Sequence, residues 1–480
     1  MARIAASGKG SPAVIGVLLP SKGLEGHISR SFGTLTGLEH LDLSNNSLSG
    51  GLPLELLSSS SIAILDVSFN KLDGTFHELP SSTPARPLQV LNISSNLFAG
   101  QFPSTTWKSM ENMVTLNAIS NSFTGQIPTQ LCNISPFLTV LDMCFNKFSG
   151  GIPPGLGDCS KLREFRAGHN NLRAMFPDEL FNVTSLEYLS LVNNGLDGVL
   201  DTANKVNLRN IVTLDLGGNR FSGKIPDYIG QFKRLEEFHL NNNMMSGELP
   251  SALSNCTNLI TIDLKSNYFS GELTKILKSS KKLAMLFIGH NFRGEILTQD
   301  GTIDGFGNLQ VLDMQGCYFS GRIPVWISRA ANLEMLTLSN NYLTGPIPGW
   351  ISSLSQKKGE KKRNRKRRPE GIWRGGAGVD AGGEGEECAG LAVSAVERAV
   401  ERPELEHRYE GPAGGGVGEA DEDGGGQGQD DGLPGEPAPK DPILGVTEAF
   451  LADPMAGRGP PRRVRPEVEE VAGGDVVAGC

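Results

Sequence analysis

Aromatic residues make up only 6 % of this 480-residue chain, and no window of 18 consecutive apolar residues occurs in it. The second absence means that no membrane span is encoded. The first twenty residues, MARIAASGKGSPAVIGVLLP, hold one short apolar stretch at 13–19, without the longer run and cleavage site of a signal peptide. Cysteine is sparse and scattered: seven residues, at 132, 144, 159, 256, 317, 388 and 480, with no C-x-x-C pair. Neither a zinc site nor a disulfide framework is expected from that spacing. Catalytic signatures are missing too. There is no H-R-D loop, D-F-G, G-x-S-x-G elbow or H-E-x-x-H helix, and the seven histidines stand singly. The chain is therefore not expected to be an enzyme or to need a metal or cofactor.

Charge excludes a further class. The chain holds 44 Lys+Arg against 53 Asp+Glu, a net charge of −9. Split after Gln356, the front part carries 26 and 28 (net −2) with 30 Asn, and the remainder 18 and 25 (net −7) with one Asn and 26 Gly. No basic field exists to attract nucleic acid. Three parts are expected: an extension over 1–11, an ordered body over 12–356, and a disordered basic-then-acidic Gly/Pro-rich tail over 357–480. Lys357–Arg368 packs nine Lys/Arg into twelve residues, read as a solvated basic run. Gly376-x-Gly378-x-x-Ala381 spells part of a dinucleotide fingerprint but follows no strand pattern. The tail's composition, GC-rich in codon terms, makes a truncated or mispredicted gene product one of the readings.

What the body does contain is a repeat. Leu38-x-x-Leu41-x-Leu43-x-x-Asn46-x-Leu48-x-Gly50 returns as Leu138-x-x-Leu141-x-Met143-x-x-Asn146-x-Phe148-x-Gly150, and again from Leu333 to Gly345. The asparagine recurs at 46, 70, 96, 121, 146, 170, 194, 219, 243, 267, 291 and 341, with Lys22 and Cys317 in the same slot, so fourteen units follow at steps of 24 to 26. This is a leucine-rich-repeat period. The expected fold is an α/β solenoid: a parallel β-sheet on the concave face, short helical or 3₁₀ turns on the convex face. Each L-x-L is a short strand, and each Asn can bury its amide against turn backbone groups, forming a ladder. Eight units continue as Gly-x-[Ile/Leu/Phe]-Pro, where Gly permits a tight turn and Pro is expected to end any ladder. Cys159 and Cys256 share one convex position and are expected as buried thiols.

A solenoid of this kind recognises ligands along its concave sheet. The outward central slots read Asp42, Asp66, Asn92, Asn117, Asp142, Arg166, Ser190, Asp215, His239, Asp263, Phe287, Asp313 and Thr337. The recurring Asp is strand consensus. Departures cluster in units seven to twelve, and the candidate ligand-binding residues are Glu164, Arg166, His169, Tyr188, Glu237, His239, Lys265 and Phe287, beside Arg163, Glu187, Glu236 and His290. Together they mix cationic, anionic and aromatic groups. Five N-x-[S/T] sequons stand at Asn45, Asn92, Asn133, Asn182 and Asn255; Asn133, Asn182 and Asn255 fall on the convex side, and Asn92 in a strand slot.

The repeat with its L-x-G-x-I-P continuation resembles the extracellular repeats of plant receptor kinases and receptor-like proteins over about residues 12–356. Within that group it is most similar to the phytosulfokine and tyrosine-sulfated-peptide receptors, through LPSKGLEGHIS (19–29), LPSSTPARPLQVLNISSNLF (79–98), GHNNL (168–172) and NFRGEILTQDGTIDGFGNLQVL (291–312). The resemblance implies a peptide or protein ligand, a leucine-rich-repeat co-receptor as partner, and a place on the extracellular face of the plasma membrane. The island that binds hormone in phytosulfokine receptors has no counterpart after Gln356, so no hormone-binding residue is carried over. A second reading is a secreted enzyme inhibitor resembling polygalacturonase-inhibiting proteins. A third is a non-functional product with apolar ends exposed at 14–19 and 343–354.

Overall fold

A computed structural model of the chain describes residues 2–5, 13–200, 207–271, 273, 281–292, 296–297 and 307–352. The chain divides into two units, Met1–Val396 and Glu397–Cys480, and every described residue belongs to the first. The tail expected over 357–480 lies outside the described residues.

Each L-x-L segment is a three-residue strand, from His40–Asp42 and Ile64–Asp66 to Met335–Thr337. Successive strands pair in parallel and in register, so Leu65, Leu91, Leu116, Leu141 and Phe165 form one inward row, almost wholly removed from water. Fifteen strands make up this long sheet. Its first member is a surprise. Ala2–Ala5, within the expected extension, pairs antiparallel with Ala13–Leu18. The apolar stretch at 14–19 is thus not the bare edge expected from the repeat; another strand satisfies its outer backbone groups.

A second ladder departs from the sequence reading. The segments after each ladder asparagine, such as Ser122–Gly125 and Lys147–Gly150, also pair in parallel, and eight run continuously from Ala99–Gln101 to Tyr268–Ser270. The Gly therefore closes a second strand, and the Pro stops it two or three residues later. Glycine is needed there: Gly150 has φ +79°, and a Cβ would meet Gln126 Cγ at 3.0 Å. Beyond the Pro come single 3₁₀ turns, for example Pro154–Asp158, Asp227–Gln231 and Ser251–Asn255, or short helices such as Leu131–Ile134. Inside, phenylalanines stack from coil to coil; Phe98, Phe123 and Phe148 lie 6.2 Å apart, centroid to centroid.

The asparagines join one coil to the next. Asn146 donates from Nδ2 to the carbonyls of Ala118 (2.9 Å), Met143 (3.3 Å) and Cys144 (3.1 Å), and its Oδ1 accepts the Phe123 N–H (3.0 Å). The same pattern holds at Asn46, Asn70, Asn96, Asn121, Asn170, Asn194, Asn219, Asn243, Asn267, Asn291 and Asn341. Cys317 reproduces part of it, its Sγ lying 3.4 Å from the Ile288 carbonyl and 3.7 Å from that of Gln315. Asn146→Ala strands a buried N–H and buried carbonyls, and is expected to cost about 2–4 kcal/mol. Cys317→Asn replaces a weakly hydrogen-bonding thiol with the ladder amide and is expected to raise the stability. Urea unfolding followed by circular dichroism checks both.

One cysteine expectation is overturned. Cys132 and Cys159 form a disulfide, Cα atoms 5.1 Å apart, between the start of helix Leu131–Ile134 and the end of the next coil's 3₁₀ turn. Their sequence separation of 27 is one repeat plus a small offset, so the coil stack itself brings them together. Cys256 does remain a thiol; it lies 3.1 Å from the Ile229 carbonyl, and burial pushes its pKa up to about 11. In the chain-entropy account a loop of this size is worth about 3–4 kcal/mol. Reduction is expected to lower the melting temperature of the full chain and to leave that of the Cys132→Ser/Cys159→Ser variant unmoved.

Candidate ligand-binding face

On the long sheet the middle residue of each strand points inward, and the first and third point out. The third row has a structural occupation. Asp42, Asp66, Asp142, Asp215, Asp263 and Asp313 each accept the backbone N–H two residues on, at 2.9 to 3.1 Å. Asn92 and Asn117 do the same. This bond closes the turn that presents the ladder asparagine. Arg166, His239 and Phe287 occupy the same row without making it.

Register sets these departures side by side: Arg166, Ser190, Asp215, His239, Asp263 and Phe287 follow one another across adjacent strands. Glu164, Tyr188, Thr213 and Glu237 form the parallel first row. Arg166 is the centre of one cluster. Its side chain is only 11 % exposed, 3.7 Å from Asp142 Oδ2 and 3.2 Å from Glu164 Oε2, with the guanidinium 5.7 Å from the centroid of the Tyr188 ring. Burial pushes the Glu164 and Asp142 carboxyls up, and the Arg166 charge pulls both back down without cancelling the effect. Beside it, Arg163 makes a two-pronged contact with Glu187 at 3.0 Å, and Arg234 approaches the same carboxylate at 3.8 Å.

The second cluster surrounds His239. Its neighbours Asp215 and Asp263 are raised chiefly by burial, and the attraction of His239 lowers both. Glu237 accepts the Thr213 hydroxyl at 3.1 Å. Lys265 lies with its ammonium 5.0 Å from the Phe287 centroid and 3.7 Å from Asp313, bridging an aromatic and an acid. The face therefore offers charges held in place by neighbours and an aromatic surface between them.

The structure separates His169 and His290 from these rows. Both sit three residues past the strand end in left-handed backbone, φ 54° and 58°, in the residue before the ladder asparagine. His169 stacks on Phe145, centroids 4.1 Å apart and planes 13° from parallel, with the Asn193 amide 3.4 Å from its ring. They line a rim and not the face. Sequence reading missed Asp142, Asp313 and Arg234 as partners, although aligning the units by their asparagines sets Asp142 beside Arg166. Among the sequons, Asn45, Asn133, Asn182 and Asn255 are exposed, whereas Asn92 is half-buried, donating to Asp66 and accepting from Ser94. Among the described residues no group of His, Cys, Asp and Glu is arranged to hold a metal, and no helix is long and apolar enough to cross a membrane.

The buried acids imply an unusual pH response. Asp66 is pushed up to about 6, mainly by burial, with the hydrogen bonds of Ser68 opposing and the nearby Asp42 charge adding. An acid raised on folding stabilises the fold fully below its unfolded pKa and loses that contribution as pH climbs through the folded value. The loss between about pH 4 and 7 is on the order of 2–3 kcal/mol. The melting temperature is thus expected to be higher at pH 5 than at pH 7.5, and Asp66→Asn, which keeps an acceptor for Ser68 as Asn92 does for Ser94, to flatten the difference.

Comparison with known proteins agrees with this fold. The Leucine Rich Repeat family model matches residues 37–59, 137–159, 210–232, 234–256, 308–330 and 332–354. The calmodulin-binding receptor kinase CaMRLK of Arabidopsis thaliana is 37 % identical over 90 residues, 18 % of this chain and 14 % of that protein. The crystal structure of a TDR receptor superposes with a TM-score of 0.65 at 30 % identity, covering 71 % of this chain and 58 % of that one. The Arabidopsis receptor kinase HAESA, in complex with the peptide hormone IDA and the co-receptor SERK1, gives 0.63 at 28 %, covering 71 % and 56 %. The chain thus spans under two thirds of the length of each. The chain carries leucine-rich repeats, and its solenoid is similar to the ectodomains of plant receptor kinases and receptor-like proteins.

Proposed function

We propose that the sheet face from strand Glu164–Arg166 to strand Met285–Phe287 binds a peptide or protein ligand outside the cell, as the recognition element of a plant cell-surface receptor. The observation that carries this reading is the Arg166 cluster. Three charged side chains are desolvated around a position where most other coils use an Asp or Asn that closes its turn. Such burial is costly for stability. On a binding face it supplies donors, acceptors and an aromatic surface whose positions are fixed before the ligand arrives, which lowers the ordering cost of association. The HAESA complex contains a peptide hormone and a co-receptor; by analogy a co-receptor with leucine-rich repeats is the expected second partner. The Cys132–Cys159 disulfide agrees with folding in an oxidising compartment. Recognition alone is the activity proposed, with no catalytic step, and the phytosulfokine-type branch is the subclass suggested by residues 19–29 and 291–312.

The test uses the full chain immobilised against a library of synthetic acidic, basic and tyrosine-sulfated peptides. His239→Ala and Phe287→Ala are expected to weaken the best binder at least tenfold, about 1.4 kcal/mol or more at a buried contact, with unaltered circular dichroism. Lys281→Ala, away from this face, is expected to leave it unchanged. Equal affinity for all three variants would overturn the assignment to this face.

A further inference from the structure

A groove lies on the side of the coils opposite the long sheet, around the short helices Ser104–Lys108 and Leu131–Ile134. It consists of two cavities, of about 500 and 580 Å³, that share Lys108, Gln130 and Ile134 in their walls. Both volumes fall in the range of roughly 300–1,000 Å³ found for ligand sites. The first is walled further by Glu111, Asn112, Asn133 and Phe137, the second by Gln101, Phe102, Trp107 and Gln126. Side-chain amides thus alternate with apolar and aromatic surface along the groove. Trp107 lines the second cavity, and its indole N–H is buried with no acceptor among the described residues. A sugar ring, apolar on its faces and edged with hydroxyls, matches that lining better than an apolar or a singly charged ligand does.

The occupant is identified by what is already attached to the wall. Asn133 is exposed, lines the first cavity and begins the sequon Asn133-Ile134-Ser135. We infer that an N-linked glycan on Asn133 folds back into this groove, its first sugars against Ile134 and Phe137 and the next over Lys108 and Gln130 toward Gln126 and Gln101. The inference rests on the extracellular reading above, because the attachment requires export. Tethering gives the glycan an effective concentration in the millimolar range without affinity of its own. The neighbouring Cys132–Cys159 bond anchors the helix that carries Asn133, so the attachment point is fixed relative to the groove. Phe137, 45 % exposed, has the Lys161 ammonium 4.9 Å from its ring centroid, and a sugar would cover the part of the ring that Lys161 leaves open. Ser135 is wholly buried and donates its hydroxyl to the Met110 carbonyl at 2.7 Å, so the sequon must be modified before this coil closes.

The experiment uses the full chain secreted from plant cells behind a cleaved signal, with peptide mapping by mass spectrometry during digestion of the native protein by a glycan-releasing amidase. Asn133 is expected to be occupied and released at least tenfold more slowly than Asn182 and Asn255, the difference disappearing after denaturation. Phe137→Ala and Gln130→Ala, at surface positions, are each expected to speed release at Asn133 and at no other site. Release at the rate of Asn182, or an unmodified Asn133, would overturn the inference. Peptide binding to the sheet face, measured on the same preparation, reports separately on the recognition reading.

Discussion

Each coil of this protein is too small to bury itself, and the interaction that makes the stack possible is the buried amide of the ladder asparagine. A three-residue strand followed by a sharp turn leaves several carbonyls and an N–H pointing into the interior, where water cannot reach them. One asparagine per coil answers donors and acceptors in its own turn and in the coil before it. Leucine and phenylalanine packing then supplies the bulk of the burial, but the amide sets the phase. The left-handed residue that precedes it follows from the same demand. Asn45, Phe69, Ser95, Phe145 and His169 all take φ of 52° to 54° there, a conformation that a bulky side chain such as phenylalanine adopts at some cost.

Once the phase is set, every other position inherits a role. The third strand residue normally closes its own turn, which explains its recurrent Asp or Asn. A coil that places Arg, His or Phe there gives up one hydrogen bond and gains a side chain free to interact across strands. Arg166 illustrates the consequence, since its charge is matched by Asp142 from the preceding coil and Glu164 from its own. Lys265, four coils beyond Arg166, makes a similar contact, reaching over Phe287 to Asp313. These contacts between coils convert a list of unusual residues into a surface.

Much of the fold was legible because its signals are periodic. The Leu and Asn spacing gives the strands, their parallel pairing and the inward rows, and the 3₁₀ turns follow from proline and short polar stretches. What escaped was aperiodic or lay in the third dimension. The second ladder depends on backbone pairing of segments such as Ser122–Gly125, whose glycines read equally well as turns. The disulfide joins cysteines at unlike positions of adjacent coils, visible only when one coil is laid on the next. The strand Ala2–Ala5 has no repeat motif at all. In the candidate site the face residues Glu164, Arg166, Tyr188, Glu237, His239, Lys265 and Phe287 were legible from their departure from consensus. His169 was misgrouped with them because three residues along the chain separate a face from a rim.

The central claim is that the third-row departures serve recognition and not the architecture. The most direct test replaces them with the residue the architecture prefers, as His239→Asn and Phe287→Asn, each of which can accept the N–H two residues on as Asn92 and Asn117 do. Thermal unfolding and peptide capture are measured on the same samples. Melting temperatures equal to or above that of the parent, with capture lost, are the predicted result. A fall in melting temperature with capture retained would contradict the account, because it would make His239 and Phe287 part of the scaffold.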